Sequence, residues 1–275
     1  MLYAFNEILK LIMSNRLKLI HRNREINIHM GKAYNLTDGS ITKTLFKLAL
    51  PIMGTSFAEM AYSLIDMIWV GKLGTGAVAA VGTAGFFTWL ASAFILIPKI
   101  GAEVGVSQST GQNDMKEVKK YIKHSIHISV FLALFYGLIM IVFRNGLIGF
   151  FNLGEEEIIK SAINYLVVVS CGFVFYFINP VFTAVFTGYG DSKTPFIINT
   201  IGLIANVILD PILIFGIGPF PRLEVIGAAL ATVISQAIVT LIFVMKAKKT
   251  IAIFSEIHLF QKPDLTHVKM ITKLG

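Results

Sequence analysis

The sequence predicts an all-α membrane protein built from six transmembrane helices. Three observations carry that prediction. Residues are 55% hydrophobic and only 15% charged, with a mean hydropathy of +0.72, whereas a soluble domain carries roughly 25% charged residues. Six apolar runs, at 44–70, 77–98, 122–143, 158–187, 195–216 and 225–245, each reach the ~20 residues a helix needs to cross a hydrocarbon core. The Lys and Arg residues fall in the gaps between those runs. Strict alternation is absent and the runs exceed the length of a barrel strand, which excludes a membrane β-barrel.

Taken in order, residues 1–35 read as a basic cytoplasmic extension. Its apolar residues are interrupted by Lys10, Arg16, Lys18, Arg22 and Arg24, so no stretch has the length of a signal-peptide core, and Met30 offers a second start. The six-helix membrane unit occupies 36–247. Its second helix is expected to continue past Pro98 towards Thr110, and its long fourth span to bend near Pro180. A cytoplasmic linker, 248–275, follows. Orientation comes from the positive residues: with the N-terminus in the cytoplasm, only Lys72, Arg144, Lys160 and Arg222 of the 24 Lys and Arg residues lie outside. Both termini are then cytoplasmic in a multi-pass protein of the cell membrane.

Several functions are excluded. A net charge of +8 and a pI near 9.5 do not indicate nucleic acid here, because no basic recognition helix or aromatic-basic pattern is present. The one cysteine, Cys171, cannot form an internal disulfide or a cysteine metal site. The six histidines show no HExxH spacing, and His124 and His127 read as interfacial. GTGAVAA (74–80) lacks the strand and acidic residue of a dinucleotide site. GYGD (188–191) matches a short intramembrane aspartyl protease pattern, but it sits at the end of a span and has no partner YD or FD pair. The chain is not expected to be an enzyme.

The polar residues inside the apolar runs are more informative. On the fifth span Asn199, Asn206 and Asp210 fall within roughly 20° of one helical line, and on the first span Glu59 and Asp66 share a face. Asp66, Asp210 and Thr232 each lie five to seven residues from the outer end of their spans, about 8–10 Å deep at 1.5 Å per residue. Two carboxylates, an amide and a hydroxyl at one depth make an oxygen-rich site suited to a proton or a small hard cation such as Na+. Single residues such as Asn206 or Thr232 also serve as interhelical hydrogen-bond partners. A pair of intramembrane aspartates is expected to be functional.

Three blocks then carry a family resemblance. TGYGDSKTP (187–195), followed by N-x6-N-x3-D and IFG (199–216) and by IGAALATVISQ (226–236), resembles the multidrug and toxic compound extrusion (MATE) transporters. ALPIMGTSFAEMAYSLIDMIWVGKLGT (49–75) and AEVGVSQSTGQND (102–114) agree. The resemblance covers about 36–275 and implies an antiporter of two six-helix lobes, exporting cationic or amphiphilic drugs and toxic compounds against inward Na+ or H+. It places the coupling site at Asp66, Asn206, Asp210 and Thr232, adds Tyr165 and Asn179 as neighbours, and makes Pro51 a bending point. No cofactor is implied beyond the coupling ion.

The chain departs from that family in having one lobe. KPDLTHVKMITKLG (262–275) resembles the lead-in DGSITKTLFKLALP (38–51), so the sequence stops where a second repeat would begin. Either the chain is truncated or two copies assemble, and the expected partners are the bilayer, small organic cations or amphiphiles, and a second six-helix lobe. The rival within membranes is a lipid-linked-sugar flippase of related architecture. Such proteins use cationic groups in the cavity, and the absence of Lys or Arg from the middle of any span favours cationic cargo.

Overall fold

The computed structural model describes residues 40–250 and 264–274. The basic extension with its second start at Met30, and the first half of the linker, lie outside the described residues. The described residues form helices and turns, with no strand among them. The helices are α1 (Ile41–Gly71), α2 (Thr75–Gly111), α3 (Met115–Val142), α4 (Arg144–Gly149), α5 (Glu156–Cys171), α6 (Phe173–Gly188), α7 (Lys193–Phe215), α8 (Glu224–Thr250) and α9 (Leu265–Leu274).

Five of these, α1, α2, α3, α7 and α8, are each long and apolar enough to span a bilayer, and α5 with α6 forms a sixth span bent by 49°. The helical form follows from the solvent: lipid offers no hydrogen bonds, so each backbone must satisfy its own. Short polar or glycine-containing turns separate them. Asp114 starts α3 by accepting the backbone N–H groups of Lys116 and Glu117 at 3.1 Å. Gly216 ends α7 at φ +72°, a left-handed conformation that glycine adopts without strain.

One expectation changes. The bend in the fourth span is at Gly172, not near Pro180. A side chain at 172 would collide with Val233 of α8, so the close approach of α8 needs glycine there, while α6 runs unbroken through Pro180. Neighbouring membrane helices commonly tolerate a proline in this way. Helix α2 continues past Pro98, as expected, and Lys99 lies in that continuation, half-buried, with its charge interacting with that of Glu59 on α1.

Packing divides into two apolar clusters. One gathers Val70, Ala84, Phe87, Tyr136, Leu166, Phe173 and Ile214 around the start of α2; the other gathers Val106, Ile122, Phe182, Phe186 and Phe243 around its end. Helix α7 packs against both α8 and α1, and α2 lies at the centre of the bundle against α3, α5 and α6. Helix α1 is a peripheral element. Its chief partner is α7, and Phe46, Leu50, Met53, Phe57, Met60, Leu64 and Ile68 form an exposed apolar stripe along it. In water such a stripe would be a liability; beside lipid tails it costs nothing.

Candidate functional site

Asp66, Asn206, Asp210 and Thr232 come together where the C-terminal parts of α1 and α7 meet the first turns of α8. Asp66 is 9% exposed, and Asn206 and Asp210 are fully buried. The Asn206 amide bridges the two acids: Nδ2 donates to Asp66 Oδ1 at 3.2 Å and to Asp210 Oδ1 at 3.2 Å. An amide nitrogen carries two hydrogens, one for each carboxyl. The Thr232 hydroxyl lies 3.1 Å from Asp66 Oδ2 and 3.0 Å from the Ala228 carbonyl, and its single hydrogen serves one or the other. The shared amide nitrogen thus holds the two carboxyl groups side by side.

That arrangement leaves Asp210 Oδ2 and Asn206 Oδ1 buried without a hydrogen-bond partner. Buried polar atoms are ordinarily satisfied, and two buried carboxylates sharing one amide donor repel each other unless a counter-charge is supplied. A proton supplies one; a small cation that prefers oxygen ligands supplies another. The site's donor set of carboxyl, amide and hydroxyl oxygens fits either.

The other predicted residues are distributed differently. Asn179 belongs to a second polar group: its Nδ2 donates to Gln236 Oε1 at 2.7 Å and to the Gln236 carbonyl at 3.0 Å, and its Oδ1 accepts from Thr240 Oγ1 at 2.7 Å. Asn199 lies closer to the opposite end of α7, with Nδ2 3.5 Å from Thr183 Oγ1. Tyr165 is buried within the first apolar cluster, with its phenol inside the electrostatic reach of Asp66 and Asp210. Glu59, two turns from Asp66, is exposed. Pro51 lies within the unbroken α1, where Thr55 Oγ1 donates to its carbonyl at 3.0 Å.

Four participants were not anticipated. Tyr62 donates to the Thr232 carbonyl at 3.3 Å, while Ser235, Gln236 and Thr240 extend the polar surface of α8. The signal existed: Thr232, Gln236 and Thr240 recur every four residues, hence on one face, but hydroxyls and amides read singly in a membrane helix look like ordinary interhelical partners. Asn179→Leu should leave Gln236 Oε1 unsatisfied, a cost of about 1–3 kcal/mol, while the Thr240 hydroxyl keeps the Gln236 carbonyl as acceptor at 2.9 Å. A lowered midpoint in thermal unfolding of the detergent-solubilised chain is the expected result.

Asp191, the acid of GYGD, has a plain structural role. Its Oδ1 accepts the Thr194 backbone N–H at 3.0 Å at the start of α7.

The bundle of long apolar helices defines a multi-pass membrane protein, and comparison with known proteins identifies which type. The sequence profile of the MatE family matches residues 51–212, more than half of the chain. A probable multidrug resistance protein NorM from Thermotoga maritima is 34% identical over 199 residues, which is 71% of this chain and 42% of the relative. A FAD transporter from Shewanella oneidensis is 31% identical over 75% of this chain and 45% of its own. A crystal structure of MATE in the bent conformation superposes with a TM-score of 0.79 at 26% identity, covering 89% of this chain and 54% of that one. This chain belongs to the MATE family, whose members are transporters and not enzymes, and its six-span bundle corresponds to one lobe of a MATE structure. It spans about half the length of the relatives it matches.

Proposed function

We propose that this lobe is the cation-coupling half of a secondary antiporter of the cell membrane that exports cationic or amphiphilic compounds in exchange for inward Na+ or H+. The observation that carries the reading is the bridging of Asp66 and Asp210 by one Asn206 nitrogen, bordered by two unsatisfied oxygens. An acid pair of this kind responds to one proton or one cation by losing its mutual repulsion, which changes how firmly α1 is held to α7 and α8. Peripheral packing of α1 makes it the element best placed to respond. The multidrug resistance names of relatives support the cargo class.

Alternating access between two repeats needs both of them, so the 275-residue chain alone is expected to show little or no efflux in vesicles unless it pairs with a copy or a second lobe. Robust transport by a demonstrated monomer would contradict this. The position of Lys99, together with a relative named for FAD transport, supports a second reading in which the cargo is an organic anion or a lipid-linked anion. Competition between a lipophilic cation and a dinucleotide for export by the completed two-lobe protein separates the two.

The same proposal places both termini in the cytoplasm. In a Cys171→Ala background, cysteines at the exposed Lys72, Glu155 and Arg222 should react with an impermeant reagent in intact cells, and cysteines at Gln112 and Lys116 should not. The reverse pattern overturns the orientation.

A further inference from the structure

Helix α9 lies across α2 and α3 at the end of the bundle remote from the acid pair. Ile271, fully buried, fits against Gly101 of α2, where any side chain would collide with it. At the centre of this contact is His267, 6% exposed. Its Nδ1 is 2.8 Å from Asp264 Oδ2, and its Nε2 is 2.8 Å from Glu117 Oε2 on α3.

Ionised carboxylates accept hydrogen bonds and cannot donate them. Both of these carboxyl groups are partly exposed and surrounded by donors. Glu117 also accepts from Lys120 Nζ at 2.7 Å, and Asp264 from the Thr266 backbone N–H at 3.0 Å. Hydrogen bonds from His267 first and Thr266 second hold the Asp264 carboxyl below its usual range. With a carboxylate at each ring nitrogen, both contacts are hydrogen bonds only when the His267 ring is an imidazolium.

The neighbouring His124 obeys the opposite rule. Its Nε2 is 2.8 Å from the Asp264 backbone N–H, which only donates, and its Nδ1 is 2.7 Å from the Lys120 carbonyl, which only accepts. His124 must therefore be neutral, with its hydrogen on Nδ1. The two rings stack 5.4 Å apart at 22°. Tyr121 meets His267 edge-on at 5.9 Å and His127 lies 6.1 Å from His124. Lys120 and Lys123 of α3 also carry charge beside the pair, with Asp114 acting on Lys120, while α2 presents Gly101.

We propose that this cluster is a proton-reading latch, in which α9 docks on α2 and α3 only while His267 is charged and His124 is neutral. Deprotonating His267 turns one ring nitrogen into a lone pair facing a carboxylate, so alkali releases α9. Protonating His124 removes the acceptor of the Asp264 N–H and stacks a second cation on the first, so acid releases it as well. The seating of α9 on α2 and α3 is thereby fixed only within a window of pH.

The test uses the full 275-residue chain with Cys171→Ala and spin labels at Lys116→Cys and Thr272→Cys, both exposed positions, in lipid nanodiscs. Pulsed electron resonance distances are recorded from about pH 5 to about pH 9, across the range in which histidine titrates. One narrow distance is expected near neutrality, with broadening at both extremes. Loss of a hydrogen bond to a charged group should reduce the docked population about tenfold or more in His267→Gln. His267→Arg retains the charge and donors at two ends and should stay docked at alkaline pH. Nitrogen NMR of labelled histidine should show His267 doubly protonated and His124 neutral in the docked state. A neutral His267 in that state, or a pH profile unchanged by His267→Gln, overturns the latch.

Discussion

Asp66→Asn and Asp210→Asn are each expected to reduce ion-gradient-driven efflux to the level of empty vesicles, when measured in a protein completed with a second lobe. The reason lies in what the substitution preserves. Asparagine keeps the shape of the carboxyl group but removes the charge that a proton or Na+ would neutralise. Asn206 Nδ2 donates to both acids, and a neutral amide at either position still accepts such a bond, so insertion and folding should survive while coupling does not. Thr232→Ala should be milder, because its hydroxyl has a second acceptor in the Ala228 carbonyl and its bond to Asp66 contributes about 0.5–1.5 kcal/mol. Glu59→Gln, about 10 Å from Asp66 by helical rise, should be milder still. Equal protein levels must be shown for each variant. Normal gradient-driven transport in both aspartate variants would remove Asp66 and Asp210 from the coupling site.

The second large effect is structural. Gly227→Val is expected to prevent accumulation of folded protein, because a side chain at 227 would strike the backbone carbonyl of Leu213, and backbone cannot be moved aside. Helices α7 and α8 form the most extensive pair in the bundle, and membrane helices associate through close approach at small residues. Spreading them also separates Asp210 from Thr232. A loss above about 4 kcal/mol is consistent with overpacking against fixed atoms. Gly202→Ala provides the contrast: its new methyl group meets the Val239 side chain, which has freedom to adjust, and a modest fall in thermal midpoint should result. Monodisperse Gly227→Val protein with a normal melting curve would contradict this account of the α7–α8 contact.

Much of this architecture was legible because lipid imposes a simple rule on composition. Apolar length marked each span, and the depth of Asp66, Asp210 and Thr232 could be read from their distance to the helix ends. The unread parts depend on contacts between distant residues. Gly172 looked like any glycine, and Pro180 drew attention as the stronger helix breaker, but the bend is set by Val233 arriving from α8. The continuation of α2 past Pro98 was legible, but not the approach of Lys99 to Glu59, which depends on how α1 and α2 pack. Tyr62, Gln236 and Thr240 were passed over as isolated polar residues. His124 and His267 stand 143 positions apart, and nothing local to either announces the other.

The peripheral position of α1 has a consequence for biogenesis. Its principal partner, α7, begins about 120 residues after α1 ends, so at roughly 5–20 residues per second the first helix waits on the order of ten seconds for the surface it will pack against. Throughout that interval Asp66 has neither Asn206 nor Thr232. The apolar stripe of Phe46, Leu50, Met53, Phe57, Met60, Leu64 and Ile68 gives the early helix enough affinity for lipid to hold an unpartnered acid in place until synthesis delivers its ligands.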